Sequence, residues 1–442
     1  MAISPETAES SGLARLTENA VTGSRLPELG SSARAAGSAT QPRVVFVNRY
    51  FYPDLSATSQ MLFDLACRLV QQGIEVHVVC SDGLYDDPRK KLVSEEMIHG
   101  IHVHRAWTSH FGRGRLLGRA VDYGSFYVTA SAKLLQFLRK GDTVVAKTDP
   151  PLISIVAAAV AKVRRARLVN WLQDVFPEVA SHLGANPLPP WLDDRLKKLR
   201  DYSLTVAHTN VVLGTRMREH LVARKIPGGQ IRVIENWADG DAVIPKAVEF
   251  CELRARLGIA DKFVVAYSGN LGRAHEFETM LAAAEQLSSD ESIVFLMIGG
   301  GAKMQQLQAA VAAKKLLNFR FLSYQPRELL SDSLAAADVH LASLLPQLEG
   351  LIVPSKFYGI LAAGRPTIFV GDVDGELARI IVATQCGIAV PIGGASALID
   401  AIRQLAADRI TRERMGARAR ALFVEKYTVG RAARQWLEAL QS

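Results

Sequence analysis

The chain has 442 residues, 49% of them apolar and 22% charged. That balance excludes a disordered or fibrous protein, and the length is too great for one compact core, so two or three domains are expected. A net charge of +8 favours anionic partners such as phosphorylated small molecules or acidic lipid headgroups. No zinc-ligand spacing, RNA-binding aromatic signature or long basic run accompanies it, so nucleic acid is not expected as a partner.

In chain order, residues 1–41 are rich in Ser, Ala and Gly and lack an apolar signal core, and they read as a disordered tail. "RVVFVN" (43–48) then predicts a buried strand. The loop "RYFYPDLSAT" follows, and Met61/Leu62, Leu65/Ala66 and Leu69/Val70 recur at helical spacing up to Gly73. "IEVHVVCS" (74–81) is the next strand, which completes a βαβ unit and implies a parallel sheet. The apolar run 152–161 is too short to span a membrane. Strands are predicted at 143–149, 166–174, 210–214 and 231–236, with a helix over 194–207. Residues 237–250, "WADGDAVIPKAVEF", break the rhythm with Gly, Pro and Asp, and the domain boundary is expected there. The alternation restarts with strands at 262–270, 292–301, 319–325, 338–344 and 367–371, and the chain ends in helices from residue 410. The reading is α/β: doubly wound domains at 42–240 and 241–425, then a last helix over 426–442. In such open sheets ligands lie at the carboxyl ends of the strands.

Several chemistries are disfavoured. The first strand is followed by no GxGxxG, and no GxxxxGK[ST], GxSxG or HExxH occurs. Cys67, Cys80, Cys251 and Cys386 are isolated, with no CxxC pair, and read as free thiols of a reducing compartment. Anion-binding turns are better represented. "YSGNLGRAHEFETML" places Gly269, Asn270, Gly272 and Arg273 between a strand and a helix, where backbone N–H groups can approach a phosphate and Arg273 can clamp it. An ordinary glycine-rich turn with a solvated arginine fits the composition equally well. "VPSKFYGILAAG" offers Ser355 as an N-cap and Gly364 as the residue after the helix. Lys356 then opposes the helix dipole and Gly359 weakens the helix, unless an anion and a ribose or base lie against them; Lys356 pointing to water and Gly359 allowing close helix packing fit the pattern equally well. Asp372, Asp374 and Glu376 sit at a strand-to-helix junction and suit either capping or hydrogen bonds to sugar hydroxyls. Asp174, just after a strand, either faces the cleft or caps a turn at Val175.

With these residues in place, the chain over 43–440 resembles the GT-B glycosyltransferases of the large retaining family 4. The landmarks are "YFYPDLSAT", "WLQDVFPE", "VVLGTRMREHLVARKIPGGQIRVIENWAD", "YSGNLGRAHEFETML", "FLMIGGG", "LASLLPQLEG" and "VPSKFYGILAAGRPTIFVGDVDGE", in that order. More narrowly, "VPSK…GILAAGRP" and "NWADGD" resemble the subgroup that builds bacterial O-antigen, capsule and colanic-type polysaccharides, L-fucosamine transferases included. The resemblance implies two Rossmann-like domains facing a central cleft, with the C-terminal helices packing back on the first. It implies a nucleotide-diphosphate sugar, of UDP type and with an N-acetylated deoxyhexose as one option, held by the second domain. The donor contacts would come from Gly269, Asn270, Gly272, Arg273, Gly300, Glu349, Pro354, Ser355, Lys356, Asp374 and Glu376. The first domain would hold a lipid-linked saccharide acceptor beside Tyr52, Ser56 and Thr58. Transfer would retain configuration without a metal, a cofactor or a protein nucleophile, with Asp174, Arg273 and Lys356 at the reacting centre. The column of a second, ribose-binding glutamate falls on Gly359, which keeps open a non-catalytic nucleotide-sugar-binding subunit; a nucleotide-sugar epimerase of the same fold is the other alternative. A cytoplasmic enzyme is implied, and the basic stretches 110–120 and 164–168 either dock it on an acidic membrane face or are solvated loops.

Overall fold

The computed structural model describes residues 43–442 except 55, 86, 88–89, 112–115 and 185–187. The expected tail at 1–41 and part of the basic stretch 110–120 therefore lie outside the described residues.

The first half is an eight-stranded sheet in the order β3-β4-β2-β1-β5-β6-β7-β8. Its strands are β1 (Arg43–Val47), β2 (Glu75–Ser81), β3 (Glu95–Ile98), β4 (Ile101–Ala106), β5 (Thr143–Lys147), β6 (Arg167–Trp171), β7 (Thr209–Val212) and β8 (Ile231–Val233). All pairings are parallel except the β3–β4 hairpin at one edge. Helices α1 (Ala57–Gln71), α2 (Leu116–Phe137), α3 (Ile153–Arg164), α4 (Glu178–His182), α5 (Pro190–Thr205) and α6 (Thr215–Ala223) connect them. The short apolar run 152–161 is thus helix α3, while the spacing-based reading has no counterpart for β3, β4 or α2.

Strand alternation explains the two layers. On β1, Val44 and Phe46 pack with α1, whereas Val45 and Val47 pack with α2 and α3. Strands buried on both faces read as continuous apolar runs, which is why the pattern identifies them so readily.

The second half is a six-stranded parallel sheet in the order β11-β10-β9-β12-β13-β14. Its strands are β9 (Phe263–Asn270), β10 (Ile293–Gly300), β11 (Phe319–Leu322), β12 (Val339–Ser343), β13 (Thr367–Gly371) and β14 (Gly387–Pro391). Helices α7 (Glu252–Arg256), α8 (Glu278–Gln286), α9 (Met304–Ala313), α10 (Leu330–Ala335), α11 (Lys356–Ala362), α12 (Glu376–Thr384), α13 (Ala395–Ala407) and α14 (Arg409–Lys426) complete it. The last helix, α15 (Val429–Gln441), leaves this half and packs on α1 of the first. It drives Trp436 into the first core, 4.8 Å from the Trp171 ring. The outward and returning chain segments run side by side, with the Ala238 N–H donating to the Tyr427 carbonyl at 3.2 Å.

In each sheet the chain first winds one way and then the other. The switch falls between β1 and β5 in the first sheet and between β9 and β12 in the second. Loops diverge at such points and leave a crevice at the carboxyl edge. The two halves meet over one apolar cluster that joins Leu172, Val175 and Val212 to Leu348, Leu351 and Phe357. There the Val175 N–H donates to the Leu351 carbonyl at 3.0 Å.

Candidate active site

The second half contributes a cradle built on close backbone contact. β9 and β10 stay in register to their ends, pairing Gly299 with Gly269 and Gly300 with Asn270. A Cβ on Gly299 would lie 2.3 Å from the Gly269 carbonyl oxygen, and its φ of +123° is one that side chains rarely adopt. The chain after β9 can therefore fold tightly over the end of β10, and Leu271 N–H donates to the Gly300 carbonyl at 2.7 Å. Arg273 stands exposed on this turn, with no hydrogen bond or ion pair among the described residues. The turn lies between a strand and a helix, as the sequence leads one to expect, with a short loop in between. α8 starts only at Glu278, and the Glu276 carboxylate already accepts from Thr279 N–H at 2.7 Å. Gly269 and Asn270 end β9, Gly272 and Arg273 lie in the loop that follows it, and the dipole of α8 is met by the protein's own carboxylate.

Lys356 is the first residue of α11. Its ammonium donates to the Tyr267 hydroxyl, lies 3.3 Å from the Asn270 carbonyl and His275 Nε2, and sits 4.0 Å from the centre of the Tyr267 ring. His275 Nδ1 donates to the Ser343 carbonyl at 2.5 Å, which leaves Nε2 as an acceptor facing the lysine. Burial, followed by the charge of Lys356, holds His275 down to about 3. Burial alone pulls Lys356 well below its ordinary value. A cation here has neutral oxygens, an imidazole and an aromatic face around it, and no carboxylate among the described residues. Ser355 stands at the N-cap position with helical φ and ψ, but its side chain makes no capping bond, so the expected cap is absent. Gly364 does close the helix as expected, with φ +65° and the Arg365 N–H donating to the Ile360 carbonyl at 3.2 Å. Pro354 is buried beneath this start, and Gly359 is half-buried with space at its Cβ position, Leu334 Cδ1 being 3.7 Å away.

The acidic candidates divide by use. Glu349 accepts from the Glu376 N–H at 3.1 Å and so caps α12. Burial, reinforced by the charges of Asp372 and Glu376, pushes it up to about 7. Glu376 reaches across to the first half, where its carboxylate accepts from Arg216 N–H at 2.7 Å and from the Thr215 hydroxyl at 3.1 Å. The residue before α6 is Gly214, which has no side chain to cap with, and Glu376 takes that role. Asp374 is exposed and forms a two-point pair with Arg379 at 2.9 Å. These contacts occupy the groups expected to take sugar or ribose hydroxyls.

In the first half, Asp174 follows β6, and no hydrogen bond or ion pair holds its carboxylate among the described residues. Burial, with the Asp149 charge second, pushes it up to about 6. It does not cap Val175, whose N–H goes to Leu351. Asp174 lines a pocket with Lys147, Thr148, Trp171 and Arg200. Lys147, which sequence reasoning passed over, is fully buried 3.7 Å from the Trp171 ring centre and donates to the Thr58 carbonyl at 2.8 Å. Its signal was a charge closing the apolar strand "TVVAK". Tyr52 is exposed and stacks on Phe63 at 4.7 Å, and Ser56 precedes α1, its N–H held by Asp54 at 2.9 Å. Glu178, near Asp174 in sequence, is instead buried against Arg200 at 2.6 Å.

One group the sequence did not reveal as a cluster has metal-capable atoms. Glu75, His77 and His102 bring theirs within 4.8 Å of one another, brought together by β2 and β4. Arg43 already occupies it, 3.0 Å from Glu75, which makes a structural ion-pair network the simplest account.

Two doubly wound halves meeting over a cleft are the architecture of the GT-B glycosyltransferases, and here Lys356 on one side and Asp174 on the other have no ion-pair partner among the described residues. Residues 250–422 match the family described as glycosyl transferases group 1, and residues 56–237 match the glycosyl transferase 4-like domain. The chain is 30% identical over 276 residues to a Pseudomonas aeruginosa protein described as "probable glycosyltransferase WbjE", which covers 62% of this chain and 68% of that one. It is 26% identical over 297 residues (65% of this chain, 72% of the other) to WcaI of Escherichia coli K12, whose name places it in colanic acid biosynthesis as a glycosyl transferase. Among solved structures, a sucrose-phosphate synthase from Thermosynechococcus elongatus superposes with a TM-score of 0.71 at 17% identity, covering 91% of this chain and 98% of that one. Anabaena HepE, solved with UDP-glucose, gives 0.67 at 16% identity over 90% and 99%. The chain belongs to this glycosyltransferase family, with a 4-like domain in its first half and a group 1 domain in its second. No helix among the described residues is long and apolar enough to cross a membrane.

Proposed function

We propose that this glycosyltransferase takes a sugar from a nucleotide-diphosphate donor, of UDP type, and passes it to a lipid-linked saccharide in the synthesis of a bacterial surface polysaccharide. The observation that carries the reading is Lys356: a part-buried ammonium at the switch point of the second sheet, in contact with Tyr267, Asn270 and His275 and with no counter-charge among the described residues. A diphosphate supplies that charge, and exposed Arg273 closes over it from the neighbouring turn. The UDP-glucose bound by HepE, on the same fold, agrees with this donor class, and the name of WcaI agrees with polysaccharide synthesis.

The chemistry follows from charge placement. An acceptor hydroxyl oxygen forms the bond to the anomeric carbon while the bond to the β-phosphate oxygen breaks, and the hydroxyl proton passes to that phosphate. Retention follows when attack and departure share one face of the sugar. Lys356 and Arg273 stabilise the negative charge as it leaves, and Asp174 orients the acceptor from the opposite half. Glycine at position 359 offers the ribose no carboxylate there.

The test is a screen of UDP, GDP and dTDP for thermal stabilisation, followed by incubation of the matching nucleotide sugar with and without a lipid-linked saccharide. Stabilisation by UDP and a lengthened saccharide only when the acceptor is present are expected. Conversion of the donor alone to an epimer contradicts transfer, and binding with neither transfer nor hydrolysis marks a non-catalytic subunit.

A further inference from the structure

The first half holds a second cation that its surroundings leave short of partners. Arg49 follows β1 and is 8% exposed, yet its guanidinium makes no hydrogen bond among the described residues. Its Nε is fully enclosed, and Asp122 Oδ2 lies 3.6 Å from Nη2, beyond hydrogen-bond length. The other oxygen of that carboxylate already accepts from the Ser109 hydroxyl at 2.7 Å and the Phe111 N–H at 3.0 Å. Tyr50 and Tyr123 flank the guanidinium instead, their ring centres 5.2 and 5.0 Å away. Arginine cannot shed its proton, and taking a charge out of water without hydrogen bonds is costly.

These residues line a pocket at the carboxyl ends of β1, β2 and β4, together with Tyr85, His110 and Arg119. Its lining carries two guanidiniums and one carboxylate. His110 Nε2 is also buried there without a hydrogen bond, 3.7 Å from Asp82, whose carboxylate already accepts from the Thr108 N–H at 3.1 Å. The pocket lies beside the reacting centre. Arg49 N–H donates to the Asp149 carbonyl at 2.5 Å, which ties the loops after β1 and β5 together at the switch point. The Asp149 charge is in turn felt by Asp174. Tyr52, Ser56 and Thr58, the acceptor-side residues expected from sequence, are not part of the lining.

We propose that this pocket receives a negatively charged group of the acceptor, either a phosphate at the reducing end of the saccharide or the carboxylate of an acidic sugar. Both oxyanions present two oxygens to the Arg49 fork and supply the hydrogen bonds that the buried guanidinium lacks. The tyrosine rings offer apolar area to the sugar that carries the charge, and their hydroxyls a polar edge. A neutral saccharide would leave the guanidinium unsatisfied, so the charge of the acceptor becomes a condition of tight binding. The inference rests on the acceptor half of the proposed transfer for its purpose. Binding is measured without transfer, so either reading can fail alone.

The experiment is titration calorimetry of the full chain with two matched pairs of probes. N-acetylglucosamine 1-phosphate against methyl N-acetylglucosaminide tests a phosphate, and methyl glucuronide against methyl glucoside tests a carboxylate. In at least one pair the charged probe should bind about tenfold tighter than its neutral partner, and the pair that shows it identifies the group. Arg49→Met should abolish that preference while UDP affinity stays unchanged. Lys356→Met should keep it, which separates this pocket from the donor's phosphate contacts. Arg119→Met, at an exposed position, should weaken the charged probe about threefold and guards against a folding defect in the Arg49 variant. Equal binding within both pairs, or the full preference kept by both arginine variants, overturns the proposal. So does a preference lost in Lys356→Met and kept in Arg49→Met, which would place the charged probe in the donor site.

Discussion

At the scale of single residues, two groups carry charge against their surroundings. Lys356 has no acid beside it among the described residues, and Glu349 is crowded by Asp372 and Glu376. Glu349 gives a pH prediction whose sign can be fixed. Its carboxyl is raised from 4.5 to about 7 in the folded chain, so the native state holds this proton more tightly than the unfolded chain does. The stabilisation is complete below about 4.5 and is lost as pH rises through about 7. Glu349→Gln cannot ionise and still offers an oxygen to the Glu376 N–H. The variant should therefore come close to the parent in denaturant titrations at pH 4.5 and exceed it by about 3 kcal/mol at pH 8. Parallel pH dependence of the two proteins would show that Glu349 ionises as it does in water. The residues named from sequence were largely those at the carboxyl edges of the sheets, because turn glycines and helix-start polar residues are local signals. Their partners were not legible. That Glu376 would cap α6, or that Tyr267 and His275 would enclose Lys356, depends on contacts 160 and 81–89 residues apart in the chain.

At the scale of elements, the buried parallel strands were legible and the amphipathic surface elements were not. β13 falls on the five residues predicted, since "TIFVG" is a continuous apolar run between turn residues. The β3–β4 hairpin carries "EEMI" and "IHVHRA", whose charged and histidine side chains hide the strand pattern, and α2 is apolar on its outer side as well as its inner one. Glycine also meant different things in different elements. Gly299→Ala should cost about 2–4 kcal/mol, because the added methyl meets the Gly269 carbonyl at 2.3 Å and the backbone is left-handed there. Gly359→Ala should instead stabilise by about 0.5–1 kcal/mol, since α11 gains helix propensity and the nearest atom is 3.7 Å away. Thermal melts of the two variants check both signs, and a loss of stability in Gly359→Ala would show that the backbone at that position is under closer contact than the fold indicates.

At the scale of the whole molecule, the halves are held by the apolar cluster under the cleft, by α15 crossing back onto α1, and by Glu376 capping a helix of the other half. Glu376→Ala should lower stability by about 1–2 kcal/mol, the ordinary cost of a lost cap, and small-angle scattering should report a larger radius of gyration as the halves part. An unchanged radius with the same loss would confine Glu376 to a local role. The central claim, that the cleft holds a nucleotide diphosphate through Lys356, is tested most directly by titration calorimetry of UDP into the parent and Lys356→Met. Methionine keeps the length and apolar stem of lysine and removes the charge. The account predicts that UDP affinity falls at least tenfold, consistent with about 1.5–3 kcal/mol for a hydrogen bond to a charged group, while the melting temperature of the free protein holds or rises. UDP bound equally by both proteins would contradict it.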